Sequence, residues 1–252
     1  MGAPGTLHIV GLGPGDAAHR TPAAAQAVAR ADAVVGYASY VDACADLLHD
    51  GQRIVRGSMG QEDARADEAL VLACEGLRVA LVSSGDAGVH GMAARTLARA
   101  AELDARERPA IVVVPGVSAA QAAAALAGAP LTDDFAVLSL SDLHAPWARV
   151  ERRLAALAPS GLALALYNPR SPRRTAGLHR ALALLRAARG PQTPVVLAHD
   201  VARAGERVEH TTLAALDPAR VTMRTVVLVA GDTAVHAGPW LVALRGRAEA
   251  GA

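Results

Sequence analysis

Short β-branched apolar runs recur along the chain, separated by Ala/Leu/Arg stretches of helical period. This alternation is the signature of βαβ units and predicts an α/β fold with a largely parallel sheet. A first series of strands reads Leu7–Leu12, Ala33–Tyr37, Arg53–Val55, Arg78–Val82 and Ala110–Val114. A second follows Gly128-Ala129-Pro130 and reads Phe135–Leu140, Leu162–Tyr167, Val195–His199, Arg207–Thr212 and Thr225–Val229. Thr21 before Pro22 opens a helix running to Ala31, as an N-cap before a first-position proline does. Acids in the first turn support a helix over Gln61–Glu75, and Trp147–Leu157 and Pro172–Arg189 supply two more. The break between the series predicts two α/β domains, residues 1–127 and 128–252. Pro109 to Thr132 carries no charge and imitates a membrane span, but Pro115-Gly116, Ser118, Gln121 and Gly128 interrupt it. A buried strand, a turn and an Ala-rich helix account for it better.

Composition narrows the function classes. Of 252 residues 52% are hydrophobic yet only 2% aromatic, so the core is built from Ala, Val and Leu, and disorder is excluded. The net charge is +1, with 25 basic residues, all Arg, against 24 acidic ones. Without a basic excess a nucleic acid is not the expected main partner. Cys44 and Cys74 are too few for a disulfide framework, a four-thiolate zinc site or an iron–sulfur centre. The nine histidines show no ligand spacing, so no metal site is expected. A formal myristoylation match at Gly2 to Thr6 is undercut by the strand starting at Leu7, and the N-terminus lacks the pattern of a secretory signal. A cytoplasmic protein without a membrane partner is expected.

Ligands of such sheets collect beyond the carboxyl ends of the strands. Three glycine loops sit there: Gly11-Leu12-Gly13-Pro14-Gly15-Asp16, Ser83-Ser84-Gly85-Asp86-Ala87-Gly88, and Val114-Pro115-Gly116-Val117-Ser118-Ala119. Asp16 occupies the place of the third glycine of a dinucleotide fingerprint, and Pro14 removes an N–H a pyrophosphate would use, which argues against a nicotinamide oxidoreductase. Asp86 suits ribose hydroxyls or a cationic ligand, or else caps the next helix; Ser118 is a ligand contact or a cap. Tyr167-Asn168-Pro169-Arg170 ends an apolar strand and offers a ring and an amide to a purine, or else simple turn chemistry.

GLGPGD at 11–16, SSGDAG at 83–88, VPGVSA at 114–119 and YNPR at 167–170 resemble, in order and spacing, the tetrapyrrole methylase family. Val35-Gly36-Tyr37, Ser58-Met59-Gly60-Gln61-Glu62, Asp134 to Val137 running into Ser139-Leu140-Ser141-Asp142, Pro146-Trp147 and Tyr167 to Ser171 resemble the subgroup acting at carbon 17 of a precorrin. The resemblance implies two α/β domains with a cofactor and substrate cleft between them, S-adenosylmethionine as methyl donor, a precorrin-type tetrapyrrole as substrate and a homodimer. It puts cofactor contacts on Pro14, Ser84, Gly85, Asp86, Val89, Ser118, Ala119, Tyr167, Asn168, Val201 and Thr225, and substrate contacts on Met59, Gly60, Gln61 and Arg170. Departures are Ala87 for the usual Pro, His90 for Tyr, and Asp200-Val201-Ala202 for Asn-Ala-Gly.

The implied chemistry couples methyl transfer, which alignment accelerates, to extrusion of bridging carbon 20, which needs a base and an acid. Candidates are Asp16, Glu62, His90, Asp142 and His144, with Asp142 and Asp16 foremost. Arg56, Arg170, Arg173, Arg174 and Arg203 are cations for substrate carboxylates, and at least one of Arg170 to Arg174 is expected to face the substrate. Other readings stay open: a methylase for a cobalt-factor or uroporphyrinogen-type tetrapyrrole, or a non-catalytic tetrapyrrole-binding carrier.

Overall fold

The computed structural model describes residues 3–143 and 145–246; Gly2 and His144, both singled out above, lie outside the described residues. The chain divides into two compact units, Met1–Ala119 and Ala120–Ala252.

The first unit is a five-stranded sheet of β1 (Thr6–Gly11), β2 (Ala33–Tyr37), β3 (Arg53–Gly57), β4 (Arg78–Ser83) and β5 (Ala110–Val114), ordered β3-β2-β4-β1-β5 and parallel throughout. The central runs do not alternate with polar residues because both of their faces are covered, whereas the edge strand β5, expected to be buried, leaves Val112 and Val113 exposed. On one face Leu7, Ile9, Val35 and Leu81 pack with Leu70, Leu72 and Ala100, the buried sides of α3 (Glu62–Cys74) and α4 (Ala93–Ala101). On the other, Val10, Val34 and Val82 pack with Val28 of α1 (Pro22–Ala29) and Val41 of α2 (Ala38–Asp42). Register aligns Gly11 with Ser83 and Val10 with Val114, so the carboxyl ends of β4, β1 and β5 lie side by side.

The second unit departs from the parallel sheet expected. Its strands β7 (Phe135–Ser139), β8 (Ala163–Tyr167), β9 (Pro194–His199), β10 (Arg207–Thr212) and β11 (Thr225–Val229) are ordered β10-β9-β11-β8-β7, and only β7 and β8 pair in parallel. Parallel pairing needs a crossover, usually helical, of a dozen or more residues. β9 and β10 are joined only by residues 200–206, too few for a crossover, so they reverse, and β11 then pairs antiparallel to β9 along its other edge. The core packs Leu164, Leu166, Leu197 and Val227 against Leu154 of α6 (Trp147–Leu157) and Leu178, Leu182 and Leu185 of α7 (Ala176–Arg189).

The division falls earlier than the break expected at Gly128. Helix α5 (Ala119–Ala127) goes almost wholly with the second unit, where the Ala120 N–H donates to the Tyr167 hydroxyl at 2.7 Å. Gly128 itself belongs to β6 (Gly128–Ala129), which joins β12 (Ala234–Ala237) and β13 (Trp240–Ala243) in a small third sheet. A Cβ at Gly128, where φ is +123°, would lie 2.7 Å from the Leu241 carbonyl oxygen. The glycine that reads as a linker is there for close strand pairing.

Asp32, just before β2, accepts from the Arg78 backbone N–H at 2.8 Å and from its guanidinium at 2.6 and 3.1 Å, tying β2 to β4. The Arg78 hydrogen bonds pull the Asp32 carboxyl down to about 2, against roughly 3.9 in an unfolded chain. A depressed folded pKa gives stability that is complete above the unfolded value and lost as pH falls through the folded one. The urea midpoint of the wild type should therefore exceed that of Asp32→Asn at pH 6, with the gap closing toward pH 2. A gap that does not change with pH contradicts the assignment.

Candidate functional site

In the first unit the three glycine loops touch backbone to backbone. Gly13 and Gly85 exchange hydrogen bonds, Gly13 N–H to Gly85 oxygen at 3.1 Å and Gly85 N–H to Gly13 oxygen at 2.7 Å. A Cβ on Gly11 would fall 2.7 Å from the Gly85 oxygen and 2.9 Å from Gly116 N, and one on Gly116 would fall 2.6 Å from the Gly11 oxygen. No side chain fits between these turns, which is the physical reason for glycine at each. Asp86 locks the set: one carboxylate oxygen accepts from Gly88 N–H at 2.7 Å and the other from Gly116 N–H at 2.9 Å. It caps no helix, since α4 starts after Met92 without a side-chain cap.

The result is a backbone-lined hollow. Gly85 has φ +66°, and its absent Cβ would point at Ser118 Cα (4.0 Å) and Ala119 N (3.9 Å), ordinary contact distances that a side chain would fill. Gly85, Asp86, Ser118 and Ala119, all expected to touch cofactor, meet there. Pro14 is buried one residue beyond the Gly13 bridge, Ser84 is half-buried, and Val89, with its N–H on the Asp86 carbonyl at 3.3 Å, is partly exposed. Met59, Gly60 and Gln61 form an exposed turn after β3, held by the buried Arg65 guanidinium on the Ser58 carbonyl and by Gln61 Oε1 on Ser58 N–H at 2.9 Å. Asp16 is half-exposed and caps the 3₁₀ turn Ala17–His19, accepting His19 N–H at 3.1 Å and lying 2.6 Å from His19 Nδ1. The His19 side-chain hydrogen bond holds its carboxyl below the usual range.

In the second unit Asn168 has φ +51°, a conformation asparagine tolerates, and its amide donates to Ser139 Oγ at 3.0 Å. Thr225 is buried; its hydroxyl accepts Thr222 N–H at 3.0 Å and lies 3.0 Å from His199 Nδ1, joining β11 to β9. Burial and Arg207 lower the His199 pKa. Val201 is buried, and Arg170 donates to the Val221 carbonyl at 3.3 Å.

The sequence matches the profile of the Tetrapyrrole (Corrin/Porphyrin) Methylases over residues 6–217. The chain is a member of that family. It is 39% identical over 229 residues to the "Probable cobalt-factor III C(17)-methyltransferase" of Salmonella typhimurium, covering 90% of this chain and 93% of that protein. It is 40% identical over 227 residues to the "Precorrin-3B C(17)-methyltransferase" of a Sinorhizobium species, covering 89% and 88%. The solved structure of the methyltransferase CobJ superposes with TM-score 0.90 at 36% identity, over 95% of this chain and all of that one. Several other relatives are longer, and the chain spans about half of each.

Two features of this methylase were not read from its sequence. The first is the backbone at Asp200-Val201-Ala202, where Asp200 (φ +47°) and Ala202 (φ +57°) adopt the left-handed conformation that Asn and Gly suit. The second is a cavity of about 250 Å³ bordered by Leu140, Asp142, Trp147, Arg173, Arg174 and Arg180. Trp147 and Arg180 come together across the sequence, the guanidinium 6.0 Å from the ring centroid, and no local pattern signals that pairing. Among the described residues no group of three His, Cys, Asp or Glu side chains is placed to hold a metal ion. No described helix is long and apolar enough to cross a membrane.

Two stability measurements check these assignments. Asp86→Ala strands the Gly88 and Gly116 amides and should cost about 1–3 kcal/mol in urea unfolding; an unchanged midpoint would show that the loops hold without it. Ala202→Gly relieves left-handed strain and should raise stability by up to about 1 kcal/mol, after the greater freedom of glycine in the unfolded chain. A destabilised variant would contradict the strain.

Proposed function

We propose that the chain transfers the methyl group of S-adenosylmethionine to carbon 17 of a precorrin-3B-type tetrapyrrole and contracts the macrocycle, as a step of cobalamin biosynthesis. The observation that carries this reading is identity of 39–40% across about nine-tenths of the chain with proteins named for C17 methylation. The space beside Gly85, Ser118 and Ala119 fits the donor, because glycine leaves bare backbone there that a Cβ, 3.9–4.0 Å from its neighbours, would cover. S-adenosylmethionine, when bound, supplies a methyl already activated on sulfonium sulfur. The chain's own task is then alignment: Asp86 sets the spacing of the second and third loops, and Pro14, Ser84 and Val89 border them. Tyr167, Asn168, Val201 and Thr225 are assigned to the same donor, Thr225 through the turn it braces. Met59, Gly60, Gln61 and Arg170 are assigned to the macrocycle.

Ring contraction needs a group to take a hydroxyl proton. Asp142 is the first candidate. Asp16 is second, since its carboxyl is already engaged by His19 and held below the usual range, which weakens it as a base. The protein is proposed to work in the cytoplasm as a homodimer.

Incubation with S-adenosylmethionine and either precorrin-3B or cobalt-factor III, followed by mass spectrometry, tests the reading and the metal content of the substrate together. The expected product carries one added methyl on a contracted ring. Asp142→Asn should slow contraction by about 10²–10⁴-fold and accumulate a methylated, uncontracted macrocycle. Absence of methyl gain on both substrates, with tight nicotinamide binding instead, overturns the proposal.

A further inference from the structure

The cavity in the second unit lies at the carboxyl ends of β7 and β8, where Leu140 and Asp142 follow one strand and Pro169 the other. Three guanidiniums border it, from Arg173, Arg174 and Arg180, against the single carboxylate of Asp142. That carboxylate stands 3.8 Å from Arg174 Nη1, beyond hydrogen-bond range. Arg174 otherwise reaches the weak acceptor sulfur of Met223 at 3.2 Å. Arg173 and Arg180 form no ion pair among the described residues. The surplus is local. In the first unit several arginines are paired with acids: Arg20 with Asp46, Arg78 with Asp32, Arg95 with Asp63, Arg99 with Asp67.

The walls are fixed rather than loose. Trp147 begins α6 and lies so close to α7 that a Cβ at Gly177 would fall 3.0 Å from its ring, and the Arg180 guanidinium lies 6.0 Å from the ring centroid. A guanidinium on an aromatic ring keeps its fork presented at low entropic cost. Thr175 starts α7 without a side-chain cap, so the positive end of the helix adds to the arginines.

Size and origin of the lining residues say what enters. About 250 Å³ falls below the ~300–1,000 Å³ of sites that enclose whole small molecules; it admits an arm of a ligand, not a macrocycle. The lining also includes Leu140, Asp142 and Trp147, from segments that resemble the carbon-17 subgroup.

We propose that this cavity is the subsite for one carboxylate-bearing side chain of the substrate, received by the guanidiniums of Arg173 and Arg180. The proposal rests on the tetrapyrrole methylase reading above, and the test separates the two. Uroporphyrin III, a stable octacarboxylated macrocycle, S-adenosylhomocysteine and inorganic phosphate are each titrated into the purified wild type, into Arg173→Gln/Arg180→Gln, and into an Arg30→Gln/Arg106→Gln charge control. The expected result is uroporphyrin affinity reduced roughly 10- to 100-fold in the first variant, unchanged in the control, with S-adenosylhomocysteine affinity intact, which also shows that the variant is folded. Equal uroporphyrin affinity in variant and wild type overturns the proposal, including when the variant has lost phosphate binding and the cavity serves free anions. A wild type that binds S-adenosylhomocysteine but not uroporphyrin overturns the subsite and leaves the methylase reading standing. One that binds neither removes both.

Discussion

Three parallel strands can pool their carboxyl-end turns only if those turns approach backbone to backbone. In the first unit Gly11 and Gly116 meet that condition, since a Cβ on either would collide with the Gly85 carbonyl oxygen. The requirement starts in the sheet, whose register brings β4, β1 and β5 to the same level. It is completed by Asp86, whose two oxygens bind amides on either side of the gap. Ser118 and Ala119 take their positions from that contact. A side chain at Gly11 or Gly116 would force the loops apart, and one at Gly85, where φ is +66°, would fill the space beside Ser118 and Ala119.

The second unit is organised around charge instead of bare backbone. Its hydrophobic core sits under α6 and α7, and the same two helices carry Trp147 and Arg180 to the rim. In a chain with almost equal numbers of acids and bases, an unmatched group of arginines is a property of placement, not of composition. The two halves thus divide the chemistry proposed here, one presenting backbone to a small cofactor and the other presenting guanidiniums to an acidic substrate.

Much of the fold was legible because buried strands in α/β units are continuous apolar runs, as in Arg78–Ser83 and Ala163–Tyr167. Strand direction was not, because apolar runs such as Val195–His199 and Thr225–Val229 look the same read either way. The two-residue β6 carries no periodicity at all, so Gly128 read as a boundary. At the site, glycine-rich turns after strands are local signals, and the structure brings the three loops they mark into contact. What Asp86 does there depends on Gly116, thirty residues further on, and the hydroxyl of Thr225 is engaged by residues of its own turn and of β9. Such partnerships are set by tertiary packing, which single-sequence patterns do not encode.

The central claim is that the loops 11–16, 83–90 and 114–119 form one cradle for the methyl donor. Amide hydrogen exchange with and without S-adenosylhomocysteine reads it loop by loop. The account predicts that all three segments gain protection together on binding, and that Asp86→Ala weakens protection in the second and third. Binding that protects other segments and leaves these three exchanging as in the free protein would contradict it.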